Sequence, residues 1–171
     1  MNYADIKRVD VANGPGVRVS LFVSGCPHHC TGCFNPETWD FTFGAEFGEQ
    51  QEQEILRSLQ PTHIQGLSVL GGEPFAPENQ QTVLNLVRKV RRELPEKDIW
   101  CYTGYLFEKL REGMVGDYAQ LLLNELDVLV DGPFVLERKN LALKFRGSDN
   151  QRIIHVKDSL AAGQICLWKE T

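Results

Sequence analysis

Three of the five cysteines, Cys26, Cys30 and Cys33, fall within eight residues, directly after the alternating run from Val17 to Val23. A turn-rich loop of this kind buries little, so the thiols cannot all be core. Three neighbouring cysteines also do not suit a disulfide framework, which uses even numbers. A metal or a cluster is the natural reading. Zinc sites usually complete four ligands from two separated pairs. No second Cys-x-x-Cys or His-x-x-x-His follows downstream, so zinc would have to borrow His28 or His29. Iron-sulfur clusters accept tight runs of thiolates, and a 4Fe-4S cube held by three of them leaves one iron for another ligand.

The rest of the chain reads as alternating strands and helices. Val17, Val19, Leu21 and Val23 alternate with Arg18, Ser20 and Phe22, the period-two pattern of a first strand. That strand delivers the cysteine loop to its carboxyl end, and Gly14-Pro15-Gly16 before it is a turn. Thr38 to Gly48 is a loop whose Trp39, Phe41, Phe43 and Phe47 are expected to cover core. Glu49 to Gln60 forms a surface helix closed by Pro61. Gln65 to Leu70 is a second strand running into Gly71-Gly72-Glu73-Pro74. There the missing side chains let backbone approach a ligand, and the Glu73 carboxylate can receive an ammonium group.

Pro77 and Glu78 open a helix with Val83, Leu84, Val87, Val90 and Leu94 at helical spacing, stopped by Pro95. Asp98 to Thr103 is a third strand containing Cys101, read as a small buried hydrophobe. It ends in Thr103-Gly104-Tyr105, where Thr103 and Tyr105 are candidate ligand contacts. Short helices are expected around Leu106 to Leu110 and around Tyr118 to Leu122. Asp127 to Asp131 is a fourth strand, short and almost wholly apolar in the middle, as buried parallel strands are, followed by Gly132-Pro133-Phe134. Arg146-Gly147-Ser148 and Asn150-Gln151-Arg152 bring two guanidiniums and two amides to one loop, a grip for a carboxylate or a partner's backbone. Arg152 to Val156 and Gln164 to Trp168 are expected as the last two strands, with His155 and Cys166 structural.

A closed eight-fold strand-helix barrel takes about 250 residues. With 171 residues, this chain is expected to form one α/β domain over residues 1–171: a partial, laterally open TIM-like barrel of about six largely parallel strands. The net charge of −5 is spread over interspersed acids and bases, which argues against nucleic acid as the direct partner. Met1 to Val11 carries Asp5, Lys7, Arg8 and Asp10 and so lacks an apolar signal region, and no later stretch reaches membrane-spanning length. The expected location is the cytoplasm, where thiols stay reduced and open to metal.

The Cys-x3-Cys-x2-Cys spacing after a first strand, preceded by Gly14-Pro15-Gly16 and followed by Gly71-Gly72-Glu73-Pro74, resembles the radical S-adenosylmethionine superfamily. Within it the chain is similar to the small activating enzymes that install glycyl radicals, in particular the anaerobic ribonucleotide-reductase branch. The resemblance runs from Gly14 through Trp39, and resumes at Gly71 to Pro74, Asp131 to Phe134 and Arg146 to Arg152. The wider superfamily places an aromatic just before the third cysteine, against the adenine. Here that position is Gly32, with Phe34 the nearest replacement, and the glycine favours the reductase branch.

The resemblance implies a cluster on Cys26, Cys30 and Cys33, with the amino and carboxylate groups of S-adenosylmethionine on the fourth iron. Gly71, Gly72, Glu73, Pro74, Gly32, Phe34, Thr103 and Asp131 would contact that cosubstrate. It further implies one-electron cleavage of the sulfonium, giving methionine and a 5'-deoxyadenosyl radical that takes hydrogen from a glycine. The implied partners are the large subunit of anaerobic ribonucleoside-triphosphate reductase and a one-electron donor such as flavodoxin or ferredoxin. Two alternatives stay open at this point. One is an activator of another glycyl radical enzyme, such as pyruvate formate-lyase; the other is a non-catalytic iron-sulfur or zinc module.

Overall fold

The computed structural model describes residues 1–170. Seven strands form one sheet: β1 (Asn2–Asp10), β2 (Val17–Val23), β3 (Ala45–Glu46), β4 (Ile64–Gly71), β5 (Asp98–Tyr102), β6 (Val128–Asp131) and β7 (Arg152–His155). Their order is β3-β1-β2-β4-β5-β6-β7. The four central strands β2, β4, β5 and β6 run parallel, β1 and β7 flank them antiparallel, and β3 pairs antiparallel with β1. The sheet is open, because β3 and β7 stand at opposite edges.

Residue parity divides the sheet into two different faces. Val19, Leu21, Val23, Leu67, Val69, Ile99, Cys101, Leu129 and Ile154 point to one side and are all buried. There they pack against α1 (Glu49–Leu59), α2 (Pro77–Glu93), α3 (Phe107–Arg111), α4 (Ala119–Asn124) and α5 (Val156–Ala162), in one continuous core. The period of two in the strands meets the helical period of Val83, Leu84, Val87 and Val90 across this layer. Pro77 stands at the first position of α2, where its fixed φ is already helical and its missing N–H is no loss.

Among the described residues, no α-helix covers the opposite face. It carries Arg18 and Ser20 from β2, Ser68 from β4, and Trp100 and Tyr102 from β5, with Phe145 and Trp168 packed on it from loops. Arg18 is fully buried here. Its guanidinium donates to Ser68 Oγ at 2.7 Å, to the Leu67 carbonyl at 3.0 Å and to Asp98 at 2.6 Å, and it lies 5.5 Å from the Trp100 ring. A buried charge has to be paired and hydrogen-bonded in this way. Gly14, with φ +131°, leaves the space Arg18 occupies: a Cβ there would sit 2.8 Å from its Cδ. The Gly14-Pro15-Gly16 turn therefore seals the floor of the helix-free face as well as reversing the chain.

The sheet has seven strands rather than six. The first strand is Asn2–Asp10, which escapes a periodicity reading because Asp10 is its one buried residue and two register shifts interrupt it. Gln164 to Trp168 is not a strand: Leu167 makes one isolated bridge to Ile154, and α5 occupies Val156–Ala162 before it.

Candidate functional site

The carboxyl ends of the parallel strands surround a cavity of about 410 Å³ on the helix-free side. Cys26, Cys30 and Cys33 stand on its wall with Gly71, Gly72 and Thr103, so residues far apart in the chain meet at one place. All three thiols are free and half-buried. Their loop is built by local turns. Cys33 N donates to the Cys30 carbonyl at 3.1 Å, and Gly32 takes the third position of that turn with φ +77°. A side chain at this position is disfavoured by the backbone and would also meet Leu136 Cδ1 at 2.8 Å. The absence of an aromatic before the third cysteine thus has a conformational cause. Gly32 itself lies off the cavity wall, whereas Phe34 lines it, packed against Phe134 with ring centroids 5.1 Å apart.

Main-chain bonds tie the cysteine loop to the next strand end. Gly25 N and Cys26 N donate to the Thr38 and Trp39 carbonyls, and Glu73 N donates to the Gly25 carbonyl at 2.7 Å. Gly71 adopts φ +105°, and a Cβ on it would lie 2.7 Å from Val23 N. A Cβ on Gly72 would lie 2.6 Å from the Gly25 carbonyl oxygen. Both glycines are therefore required for the strand end to press against the cysteine loop.

Glu73 and Pro74 are buried and off the cavity wall. Glu73 is fully buried, and donors already surround its carboxylate. Oε1 accepts from Thr103 Oγ1 at 2.9 Å and Gly104 N at 2.7 Å, and lies 2.6 Å from His28 Nε2; Oε2 accepts from Phe75 N at 2.9 Å. The expectation of a carboxylate open to an ammonium group is corrected here: the group is buried, turned from the cavity and held by partners within the chain, three of them on Oε1. Asp131 is corrected likewise. It is fully buried and holds Arg152 and the Phe107 amide instead of facing the cavity.

The loop after β6 forms the outer wall. Arg146 lines the cavity, but its guanidinium donates to the Asp149 carbonyl at 3.2 Å and the Gln151 carbonyl at 2.5 Å. Gln151 Oε1 accepts from Gly147 N and Ser148 N, and Asn150 Nδ2 donates to the Pro133 carbonyl. Arg146 and the two amides thus close their own loop, while Arg152 is held by Asp131 and Glu108. Trp39 and Tyr102 also line the cavity, although the sequence placed Trp39 with core cover and gave Tyr102 no role. Trp39 Nε1 and the Tyr102 hydroxyl are buried without a hydrogen-bond partner among the described residues. Burial holds the Tyr102 phenol well above its ordinary value, so it stays protonated and a donor. Orphaned buried donors are costly, and they mark where a bound group would supply acceptors.

The donor set suits a polynuclear cluster. No three His, Cys, Asp or Glu side chains among the described residues are grouped as ligands of a single metal ion. Thiolates that each take a different iron need no such convergence. Burial pushes the Cys26 thiol up to about 11, and the charge of Glu73 adds to this, while the amides of His28 and His29 aim at the sulfur and favour the thiolate. Metal must therefore displace a proton to bind Cys26.

Residues 12–154 match a family described as a 4Fe-4S single cluster domain. The chain is 46% identical over 157 residues to an anaerobic ribonucleoside-triphosphate reductase-activating protein of Vibrio cholerae, covering 91% of this chain and 97% of that one. The chain belongs to this family of activating proteins. The Escherichia coli K12 member is 44% identical over 92% of this chain and all of its own length. The member from Enterobacteria phage T4 is 45% identical over 90% of this chain and 93% of its own. The matched region contains β2, the cysteine loop, the Gly71–Gly72 strand end and the outer loop of the cavity. No helix among the described residues is long and apolar enough to cross a membrane.

Proposed function

We propose that this chain, working as one domain, is a radical S-adenosylmethionine enzyme that places a glycyl radical on the large subunit of anaerobic ribonucleoside-triphosphate reductase. The observation that carries the reading is the meeting of three free thiols with the Gly71–Gly72 backbone and Thr103 around one cavity. The names of the relatives support the choice of target. Cys26, Cys30 and Cys33 would hold a 4Fe-4S cluster, which when bound supplies the electron that cleaves S-adenosylmethionine to methionine and a 5'-deoxyadenosyl radical.

The chain's own residues bind, orient and shield. Gly71 and Gly72 present backbone without side chains, Thr103 and Phe34 border the space for the cosubstrate, and Tyr102 and Trp39 offer donors. The open sheet serves as a partial barrel whose helix-free flank admits a partner's loop. That loop has to enter, since reacting atoms must approach to about 3–3.5 Å. Phe34, Leu136 and Leu141 are exposed apolar side chains at the cysteine loop and the outer loop and form the surface on which it would land. The electron would come from a donor of the flavodoxin or ferredoxin type, in the cytoplasm.

The test is anaerobic incubation of the reduced protein with S-adenosylmethionine and purified reductase, followed by electron paramagnetic resonance. A glycyl radical doublet on the reductase, lost when its radical-site glycine is changed to Ala, is the expected result. Cosubstrate cleavage with a radical on pyruvate formate-lyase but none on the reductase would move the assignment to that other target.

A further inference from the structure

His28 stands between Cys26 and Cys30 in the loop that carries the thiols, and its ring reaches across to the other side of the site. Its Nε2 lies 2.6 Å from Glu73 Oε1. The Tyr105 ring meets its edge with centroids 4.5 Å apart. Gly104 makes room for it, since a Cβ there would lie 2.6 Å from His28 Cδ2. The imidazole is thus clamped by the end of β5 and by the carboxylate that follows β4.

Two chemical facts give this contact weight. A carboxylate offers about four lone-pair sites, and Glu73 is held by four partners, Phe75 N on Oε2 and Gly104 N, Thr103 Oγ1 and His28 on Oε1. The first three come from the strand ends, and only the fourth comes from the cysteine loop. No Lys or Arg among the described residues pairs with Glu73, so it needs every donor it has. The other hydrogen bonds joining the cysteine loop to its neighbours lie at its start, before the loop turns away: main-chain bonds at Ser24, Gly25 and Cys26, and the Asn79 side-chain amide donating to the Ser24 carbonyl.

We infer that His28 is a positioning residue: through Glu73 it fixes the thiol-bearing loop against the Gly71–Gly72 strand end, and so sets where a cluster sits relative to the bound cosubstrate. This rests on the functional reading above. Removing the tie leaves three thiols able to take up iron but in a loop free to drift from the cosubstrate wall. Losses of about 10–100-fold are usual when an outer partner that orients a metal site is removed.

The experiment compares His28→Ala, His28→Gln and Gly104→Ala in anaerobically reconstituted full-length protein. It measures iron content, S-adenosylmethionine affinity by equilibrium dialysis, and the change in the reduced cluster's paramagnetic resonance signal when the cosubstrate is added. His28→Ala is expected to keep near wild-type iron, bind the cosubstrate about 10–100-fold more weakly and lose most of the signal change. His28→Gln, whose amide N–H can still reach Glu73, should recover most of both. Gly104→Ala displaces the ring without removing it and should resemble His28→Ala, which keeps the test alive if His28→Ala fails to load iron. Wild-type affinity in both His28→Ala and Gly104→Ala, or equal loss in His28→Ala and His28→Gln, would overturn the inference. A wild-type protein that carries a full cluster but binds no cosubstrate would instead overturn the functional reading.

Discussion

Arg152 and Asp131 are register partners across the antiparallel β6–β7 pair, and the guanidinium of one closes on the buried carboxylate of the other. Arg152 Nε donates to Asp131 Oδ1 at 3.0 Å, and its terminal nitrogens reach Glu108 at 3.0 and 2.8 Å. The residue expected to grip a partner instead locks the last strand and α3 together. Arg152→Ala leaves Asp131 charged and unpaired in the interior, which costs about 3–5 kcal/mol. Urea denaturation should show a correspondingly lower midpoint, and a midpoint unchanged from wild type would refute this role.

Asp127 gives a pH dependence. Burial opposes its ionised form, but hydrogen bonds from Arg91, the Ile99 amide and Lys157 outweigh burial and hold its carboxyl below the ordinary value of 3.8. The group is therefore more acidic folded than unfolded, so its contribution is complete above pH 3.8 and disappears as pH falls through the lower folded value. Melting temperature should be flat above that pH on this account and fall below it. Asp127→Asn should lower the plateau and flatten the acid limb; an unchanged limb would show that the group contributes nothing.

The central strands and the longer helices were legible because a single force wrote them. Val17 to Val23 alternates since one of its faces meets helices, and Val83 to Val90 repeats at helical spacing since one of its faces meets strands. β1 was hidden because its one buried residue is the polar Asp10 and its register shifts break the alternation. Gln164 to Trp168 looked like a strand because Ile165 and Trp168 are apolar, but they pack as a cover on the core rather than in a ladder. In the site, the cysteines and the paired glycines could be read from spacing. The inward turn of Glu73 could not, because its partners Thr103, Gly104 and His28 come from two other segments.

Iron binding separates the two kinds of cysteine. Anaerobically reconstituted protein should hold about four irons and four sulfides per chain, as one cube requires. Ala at Cys26, Cys30 or Cys33 should abolish the cluster. Cys101→Ser should retain it, since Cys101 is buried in β5 against the helices, and so should Cys166→Ser. Full iron content in any of the first three variants would refute the assignment.

Gly72→Val tests the contact between the strand end and the cysteine loop. A Cβ at this position meets backbone, the Gly25 oxygen at 2.6 Å and the Thr38 oxygen at 2.8 Å, so the loop itself has to shift. The variant should therefore lose cluster content together with 5'-deoxyadenosine formation. Wild-type iron content with only cosubstrate affinity reduced would show that the glycine matters for the ligand alone.

Leu141 tests the landing surface. It is 85% exposed at the cavity rim, so Leu141→Asp disturbs no packing. Cleavage of S-adenosylmethionine in the absence of reductase should be unchanged, and radical yield on the reductase should fall about tenfold, the effect of losing about 1.4 kcal/mol of binding. Unchanged yield at subsaturating reductase would remove Leu141 from the docking surface.

The one-sided covering of the sheet divides the molecule's evolutionary freedom. The five α-helices lean on the same face, so the main core and the flank proposed to admit a partner lie on different sides of the same strands. The loops between Pro133 and Gln151 can change length and sequence without touching the helix-packed layer. On the proposed docking, a new target would ask only for a new rim, while the thiols and the paired glycines stay where the parallel strands leave them.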